Sequence, residues 1–145
     1  MSEGIEDASQ RAAAAPDDGA AAFGYASALD AADREAEAIP VYRRALECGL
    51  PGELEYRARV QLGSSLRLTG QAAEALAVHR DVSARWPDRP ANRLFLALAL
   101  LDAGASRDAV REAMLAALAG RAEPDMEYYR RALAGYAAGL RADPG

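Results

Sequence analysis

LGSSLRLTGQAAEALAVHRDVSARWPDRPANRLFLALALLDAG, residues 62–104, contains one helical hairpin and the start of its copy. Leu62 is answered by Leu96, Leu66 by Leu100, Gly70 by Gly104 and, just beyond, Ala75 by Ala109, each 34 residues on. A fixed period in this range marks a stacked array of small units. One hairpin cannot bury its own apolar face, so neighbours stack and form a continuous concave surface. The pattern defines the kind of object before it defines what the object holds.

The copy extends upstream at an offset of 37, where Tyr25, Leu29, Ala38 and Tyr42 correspond to Leu62, Leu66, Ala75 and His79. The three extra residues fit the connection from Gly49 to Glu53, and surface loops tolerate such insertions. Expected helices run from about Ile5 to Ala15, Gly19 to Ala32, Arg34 to Cys48, Glu53 to Thr69, Gln71 to Arg85, Arg89 to Ala103, and Arg107 to Ala119. Asp17 or Asp18, Asp33 and Ser106 are the expected N-caps, because their side chains accept orphan backbone N–H bonds. Pro40 falls inside its helix, where it removes one backbone hydrogen bond and should bend the axis. Pro124 opens a last helix ending near Arg141, with Tyr129, Leu133, Tyr136 and Leu140 on one stripe. An unpaired amphipathic helix after the last hairpin has the character of a cap.

The 145 residues suffice for one domain or one short array. Apolar residues make up 51%, aromatics only 6%, and much of the rest of that apolar share is alanine. Alanine has the best helix propensity and lets helix backbones approach closely, while Val and Ile are sparse. All-α follows. The net charge is −5 and all 17 basic residues are Arg, a usage typical of GC-rich bacterial coding sequences. A negative chain repels phosphate backbones, which argues against nucleic acid. Cys48 is the single cysteine and fits a reducing compartment. The acidic start, MSEGIEDASQ, carries no secretory pattern, and the apolar run Leu94 to Leu101 is too short to span a bilayer. A cytoplasmic protein without membrane contact is expected.

The chain resembles the tetratricopeptide repeat (TPR) family. Against W-x2-L-G-x2-Y…A-x3-F…P, the middle repeat supplies Leu62-Gly63, Leu66 at the Tyr position, Ala75, His79 in the aromatic slot, and Pro87. The first repeat supplies Tyr25-Ala26, Leu29, Ala38, Tyr42 and a displaced Pro51. The third supplies Leu96-Ala97, Leu100, Ala109 and Ala113, and lacks the proline. Ala22, Arg59 and Arg93 stand in the Trp slot. The strings AIPVYRRAL (38–46) and QLGSSLRLTG (61–70) are similar to short, stand-alone bacterial TPR proteins. The resemblance implies a right-handed α-solenoid of three TPR-like helical hairpins, at about 19–50, 53–87 and 88–121, followed by a C-terminal capping helix and tail over 122–145. Residues 1–18 form an N-terminal segment, partly flexible or one short helix.

In a TPR array the first helix of each hairpin lines the groove. Helical spacing puts Phe23, Ser27 and Asp30, then Arg57, Val60, Gln61, Ser64 and Arg67 on that face. The guanidinium, amide and hydroxyl groups of the middle helix suit a carboxylate or an extended peptide backbone. As a purely structural cluster, Arg67 would instead pair with Asp30. Leu94, Leu98 and Leu101 make the third first-helix apolar nearly all round, so the last helix or another chain must cover it. His79, alone of its kind, reads as a packed core residue and Trp86 as packing under the Pro87 turn. The carboxylates sit at helix starts and on solvated faces. One His and one Cys do not make an N/S metal site, and no phosphate loop, nucleophile elbow or dinucleotide fingerprint occurs. The expectation is a non-catalytic scaffold or adaptor without cofactor or metal, binding a peptide or protein segment in its concave groove. The alternative is a self-associating structural protein using the third repeat; monomer and homodimer both remain open.

Overall fold

A computed structural model describes residues 4–119 and 124–139. Among these residues the chain is all-helical: α1 (Ile5–Ala14), α2 (Gly19–Asp30), α3 (Glu35–Cys48), α4 (Gly52–Leu68), α5 (Ala72–Arg85), α6 (Pro90–Asp102), α7 (Ser106–Ala119) and α8 (Pro124–Gly139). The first three residues, the boundary near 121–122, Leu140 and the helix end near Arg141 lie outside the described residues. No helix among those described is long and apolar enough to cross a membrane.

From α1 to α7 each helix packs on the next in sequence, and α2, α4, α6 and α8 also touch in that order. The even-numbered helices therefore form one row and α3, α5 and α7 a second row behind it. Ala26, Ala38, Ala58, Ala75 and Ala99 are fully buried where the rows meet. Small side chains at these crossings let the helix axes approach, which larger ones would prevent.

The three connections α2–α3, α4–α5 and α6–α7 close with the same backbone pattern. Arg34, Gln71 and Ala105 donate N–H bonds to the carbonyls of Leu29, Leu66 and Leu100 at 3.0, 2.8 and 2.8 Å. Asp33, Gly70 and Gly104 donate to Asp30, Arg67 and Leu101 at 3.1, 3.1 and 3.0 Å. This pair of bonds defines the Schellman motif, whose C′ residue is left-handed. Gly70 and Gly104 have φ 82° and 79°, and Asp33 has φ 57°. Asp33 is thus a helix terminator in the place of the other two glycines, which corrects the expectation that it N-caps α3. Aspartate tolerates this conformation better than most residues with a Cβ. The N-cap of α3 is Arg34, with no side-chain cap. Its guanidinium bonds Glu37 at 2.8 and 2.6 Å instead.

Asp18 caps α2 as expected, accepting from the amides of Ala20 and Ala21 at 2.9 and 3.2 Å. Ser106 is already helical rather than a cap, and the Ala105 carbonyl accepts from Ala109 at 3.0 Å. Around the exposed Pro40, α3 stays a single helix from Glu35 to Cys48.

The aromatic slot of the repeat shows how one position shapes the interior. Tyr42 fills it between α2 and α3, and His79 between α4 and α5, both buried. The His79 ring lies directly against Gly63, where a Cβ would come within 2.5 Å of Nε2 and 2.7 Å of Cε1. Glycine is required at 63 by this contact, not by backbone conformation. In the third hairpin the slot holds Ala113, and volume filled by rings in the first two is left open.

Candidate functional site

The last helix lies over the row formed by α4 and α6. Its first turn is fastened by Asp125, a buried carboxylate. Asp125 accepts from the Tyr56 hydroxyl at 3.0 Å, the Ala91 amide at 3.0 Å and the Arg89 guanidinium at 2.8 Å. Arg89 stacks over the Tyr56 ring at 3.8 Å and also binds Glu53 at 3.0 and 3.3 Å. Burial, and then the neighbouring Asp125 charge, push the Tyr56 hydroxyl well above its ordinary range. Further along α8, Tyr129 enters an aromatic cluster, edge-on to Phe95 at 5.3 Å and to Tyr56 at 6.4 Å. Edge-to-face pairs of this kind add about 0.5–1.5 kcal/mol each beyond the area they bury. Tyr136 reaches Ser64, with 2.9 Å between the two hydroxyl oxygens.

This docking divides the concave-face residues into two groups. Val60 and Ser64 are buried, and the Arg57 guanidinium lies over the Tyr128 ring at 3.8 Å, held also by Glu53 at 3.0 Å. Arg67 pairs with Asp102 at 3.1 Å and faces the Tyr136 ring at 5.0 Å. The expected Arg67–Asp30 pair is absent, and the reason lies in Asp30 itself. Its carboxylate accepts hydroxyl bonds from Tyr42 and Ser65, each at 3.1 Å. Desolvation raises its pKa despite those two bonds. Phe23, which packs on Tyr42 with ring centroids 6.2 Å apart, and Ser27 belong to this first-repeat side.

Between the two groups a groove of about 730 Å³ remains open. Asp30 and Asp33 line one side, Gln61 and Ser64 the floor, and Tyr128 and Arg131 the other side. The Gln61 carbonyl oxygen and the Tyr129 hydroxyl are buried polar atoms without a hydrogen-bond partner. Such groups cost about 1–3 kcal/mol each when unsatisfied, so they mark places where a ligand group or water has something to gain.

Leu94, Leu98 and Leu101 lie elsewhere. They line a second, apolar groove of about 350 Å³ together with Val110, Ala113 and Leu133. Ala97 and Ala113 face this space, so it coincides with the empty aromatic slot of the third hairpin. The last helix covers only its edge, through Leu133 and Tyr136. Beside it Val110, Met114 and Leu118 of α7 are 58%, 59% and 83% exposed.

The sequence pattern singled out the middle helix but not Asp125 or Tyr128, which complete its surroundings. A usable signal existed in the Tyr129–Leu133–Tyr136 stripe, whose aromatic content exceeds what a solvated cap needs. Asp125 looked like an ordinary first-turn acid, and nothing local distinguishes it from Glu127.

No curated protein is significantly similar in sequence to this chain. In structure it resembles YrrB, described as a TPR protein with an unusual peptide-binding site, at 22% identity and a TM-score of 0.65. The match covers 85% of this chain and 58% of YrrB, so the chain spans less than two thirds of that protein's length. At this identity the likeness concerns the fold alone. The family model described as Tetratrico peptide repeat matches residues 19–140. With the 34-residue period, the small residues at helix crossings and the repeated turn now placed in three dimensions, the chain belongs to the tetratricopeptide repeat family.

Proposed function

We propose that this protein is a non-catalytic scaffold that binds a peptide or protein segment in its concave groove. In this reading the array is a right-handed solenoid of three hairpins, at about 19–50, 53–87 and 88–121, closed by α8 as a cap. The carrying observation is the groove of about 730 Å³ left between α2 and α8, lined by Asp30, Gln61, Ser64 and Arg131. Pockets that bind specifically combine apolar walls with a few convergent polar groups, and this one has both. The family's general role in protein interaction, and the peptide site of YrrB, support the same reading. Of the residues on the concave face, Phe23, Ser27, Asp30 and Gln61 are the ones left for a partner. Arg57, Val60, Ser64 and Arg67 hold α8 and form the shared wall. Photo-crosslinking in a source lysate tests this, with a benzophenone amino acid at Ala31 in the groove or at Arg80 on α5. A partner captured from position 31 and not from 80 is the expected result. Equal capture from both positions, or none from 31, sinks it.

Self-association is the second reading, supported by the apolar groove at Leu94, Leu98 and Leu101 beside the exposed Val110, Met114 and Leu118. Apolar surface of this kind marks interfaces when it is contiguous. A solution mass of two chains that falls to one on Met114→Glu carries this reading; a single-chain mass for the wild type removes it.

A further inference from the structure

We propose that the groove between α2 and α8 receives the cationic side chain of an arginine or lysine in the bound peptide, seated against Asp30 and the tyrosines of α8. The inference rests on the peptide-groove reading and names the chemistry of its ligand.

Charge pairing among the described residues leaves a conspicuous gap. The half-buried or buried carboxylates Glu55, Glu112 and Asp125 each hold an arginine, at 2.5 Å from Arg85, 2.9 Å from Arg93 and 2.8 Å from Arg89. Asp30 is also partly buried, yet its bonds come only from the neutral hydroxyls of Tyr42 and Ser65. Asp33 and Glu35 add negative charge beside it. Carboxylates taken out of water are normally paired, because desolvation is otherwise uncompensated. Here the missing cation has a place to come from, since Asp30 opens onto the groove.

The remaining lining fits the same ligand. Tyr129 is 4% exposed, lines the groove and has a hydroxyl without a partner. The Gln61 carbonyl oxygen is a second acceptor without one. A guanidinium offers five N–H donors in a plane and an ammonium three, so either can serve the carboxylate and such acceptors together. Tyr128 and Tyr136 also line the groove, and aromatic rings attract a nearby cation. The chain's own Arg57 and Arg67 already lie over these two rings, which shows that the rings accept guanidinium groups. Those two arginines are neutralised by Glu53 and Asp102, so they do not cancel the field of Asp30 and Asp33. Arg131 on the facing wall is suited to the carbonyl groups of the same peptide.

The test uses the whole protein, labelled with 15N, and capped Ser/Ala nonapeptides with a central Arg, Lys, citrulline or Glu. Amide shifts at Ala31, Gln61 and Gly135 report the groove. The Arg and Lys peptides are expected to bind about tenfold tighter than the citrulline peptide, which has the same shape without charge. Asp30→Asn should bring Arg down to the citrulline level. Equal binding of Arg and citrulline, or preference for Glu, with shifts still in the groove, overturns the cation while leaving the peptide groove standing. Absence of groove shifts with every peptide overturns both. Spermidine that binds as tightly as the Arg peptide and displaces it would assign the site to a free polyamine and overturn the peptide occupant.

Discussion

Asp125→Ala is expected to destabilise the protein by roughly 3 kcal/mol and to release α8. The carboxylate accepts from three donors at 2.8–3.0 Å, and two of them, the Tyr56 hydroxyl and the Ala91 amide, belong to fully buried residues. An unpaired buried donor costs about 1–3 kcal/mol, and a charge-assisted bond is worth about 1.5–3 kcal/mol. Two effects hold the total down. Arg89 keeps its second partner, Glu53, and its side chain is 26% exposed, so water can reach it. Tyr56→Phe removes one neutral donor and should cost only about 1 kcal/mol. Trp86 is the only tryptophan and lies 5.5 Å from Tyr56, edge-on, so its fluorescence reports this cluster during denaturant unfolding. Faster amide exchange confined to α8 distinguishes release of the helix from loss of the whole fold. A loss below about 1 kcal/mol, with α8 still protected, would mean that the aromatic cluster alone seats the helix.

The same contact decides what the groove can be. With α8 seated, Val60 is inaccessible, Ser64 is engaged by Tyr136, and only the strip beside Asp30 remains for a partner. With α8 released, the whole first-helix face of the middle hairpin opens. Asp125→Ala should therefore change which groove positions crosslink a partner, while leaving the Asp30 end in place.

The all-α class and the helix boundaries were legible because they rest on local physics. Repeating Leu and Ala positions define buried faces, and Gly70 and Gly104 supply left-handed turns. Asp33 was misassigned because aspartate is read locally as a cap. Its register, 37 residues before Gly70, places it in the series of terminators. The site was less legible, and the reason is distance in sequence. Ser64 meets Tyr136 across 72 residues and Tyr56 meets Asp125 across 69, so no window of helical spacing contains either pair. The Arg67–Asp30 expectation failed similarly. Equivalent positions on neighbouring repeats made the pair plausible, but Tyr42 and Ser65 had already engaged Asp30, leaving Arg67 to pair forward with Asp102. The apolar groove, by contrast, follows from one readable substitution, Ala113 in a slot filled by Tyr42 and His79 in the other hairpins.

Acidification from pH 6.5 to 4 is expected to remove about 3 kcal/mol of stability through His79, most of it above pH 5, before most carboxylates titrate. The ring is 1% exposed and stacks on Phe95 at 5.8 Å. Its tautomer is fixed by Asn92, whose amide nitrogen donates to the His79 carbonyl at 2.9 Å and the Ser83 hydroxyl at 2.8 Å. The Asn92 oxygen is left to accept from Nδ1–H at 2.9 Å, so the neutral ring carries its lone pair on Nε2. That nitrogen is buried against Gly63 without a partner. Protonating it would bury a charge that the Gly63 backbone only partly stabilises. Burial chiefly, with the nearby Arg67 charge, pushes the His79 pKa down to about 4 from 6.5. The unfolded chain binds this proton below pH 6.5 and the folded chain does not until about pH 4. Stability is thus complete above pH 6.5 and falls as the pH drops towards 4. His79 is the only histidine, and in an Asp30→Asn background, which removes the carboxyl that burial raises, the slope between pH 6.5 and 5 is assigned to it. Denaturant unfolding at half-unit steps measures that slope. His79→Gln, less stable at neutral pH, should lose it. A wild-type stability that stays flat from pH 6.5 to 5 would show that the imidazolium finds a partner in the folded state.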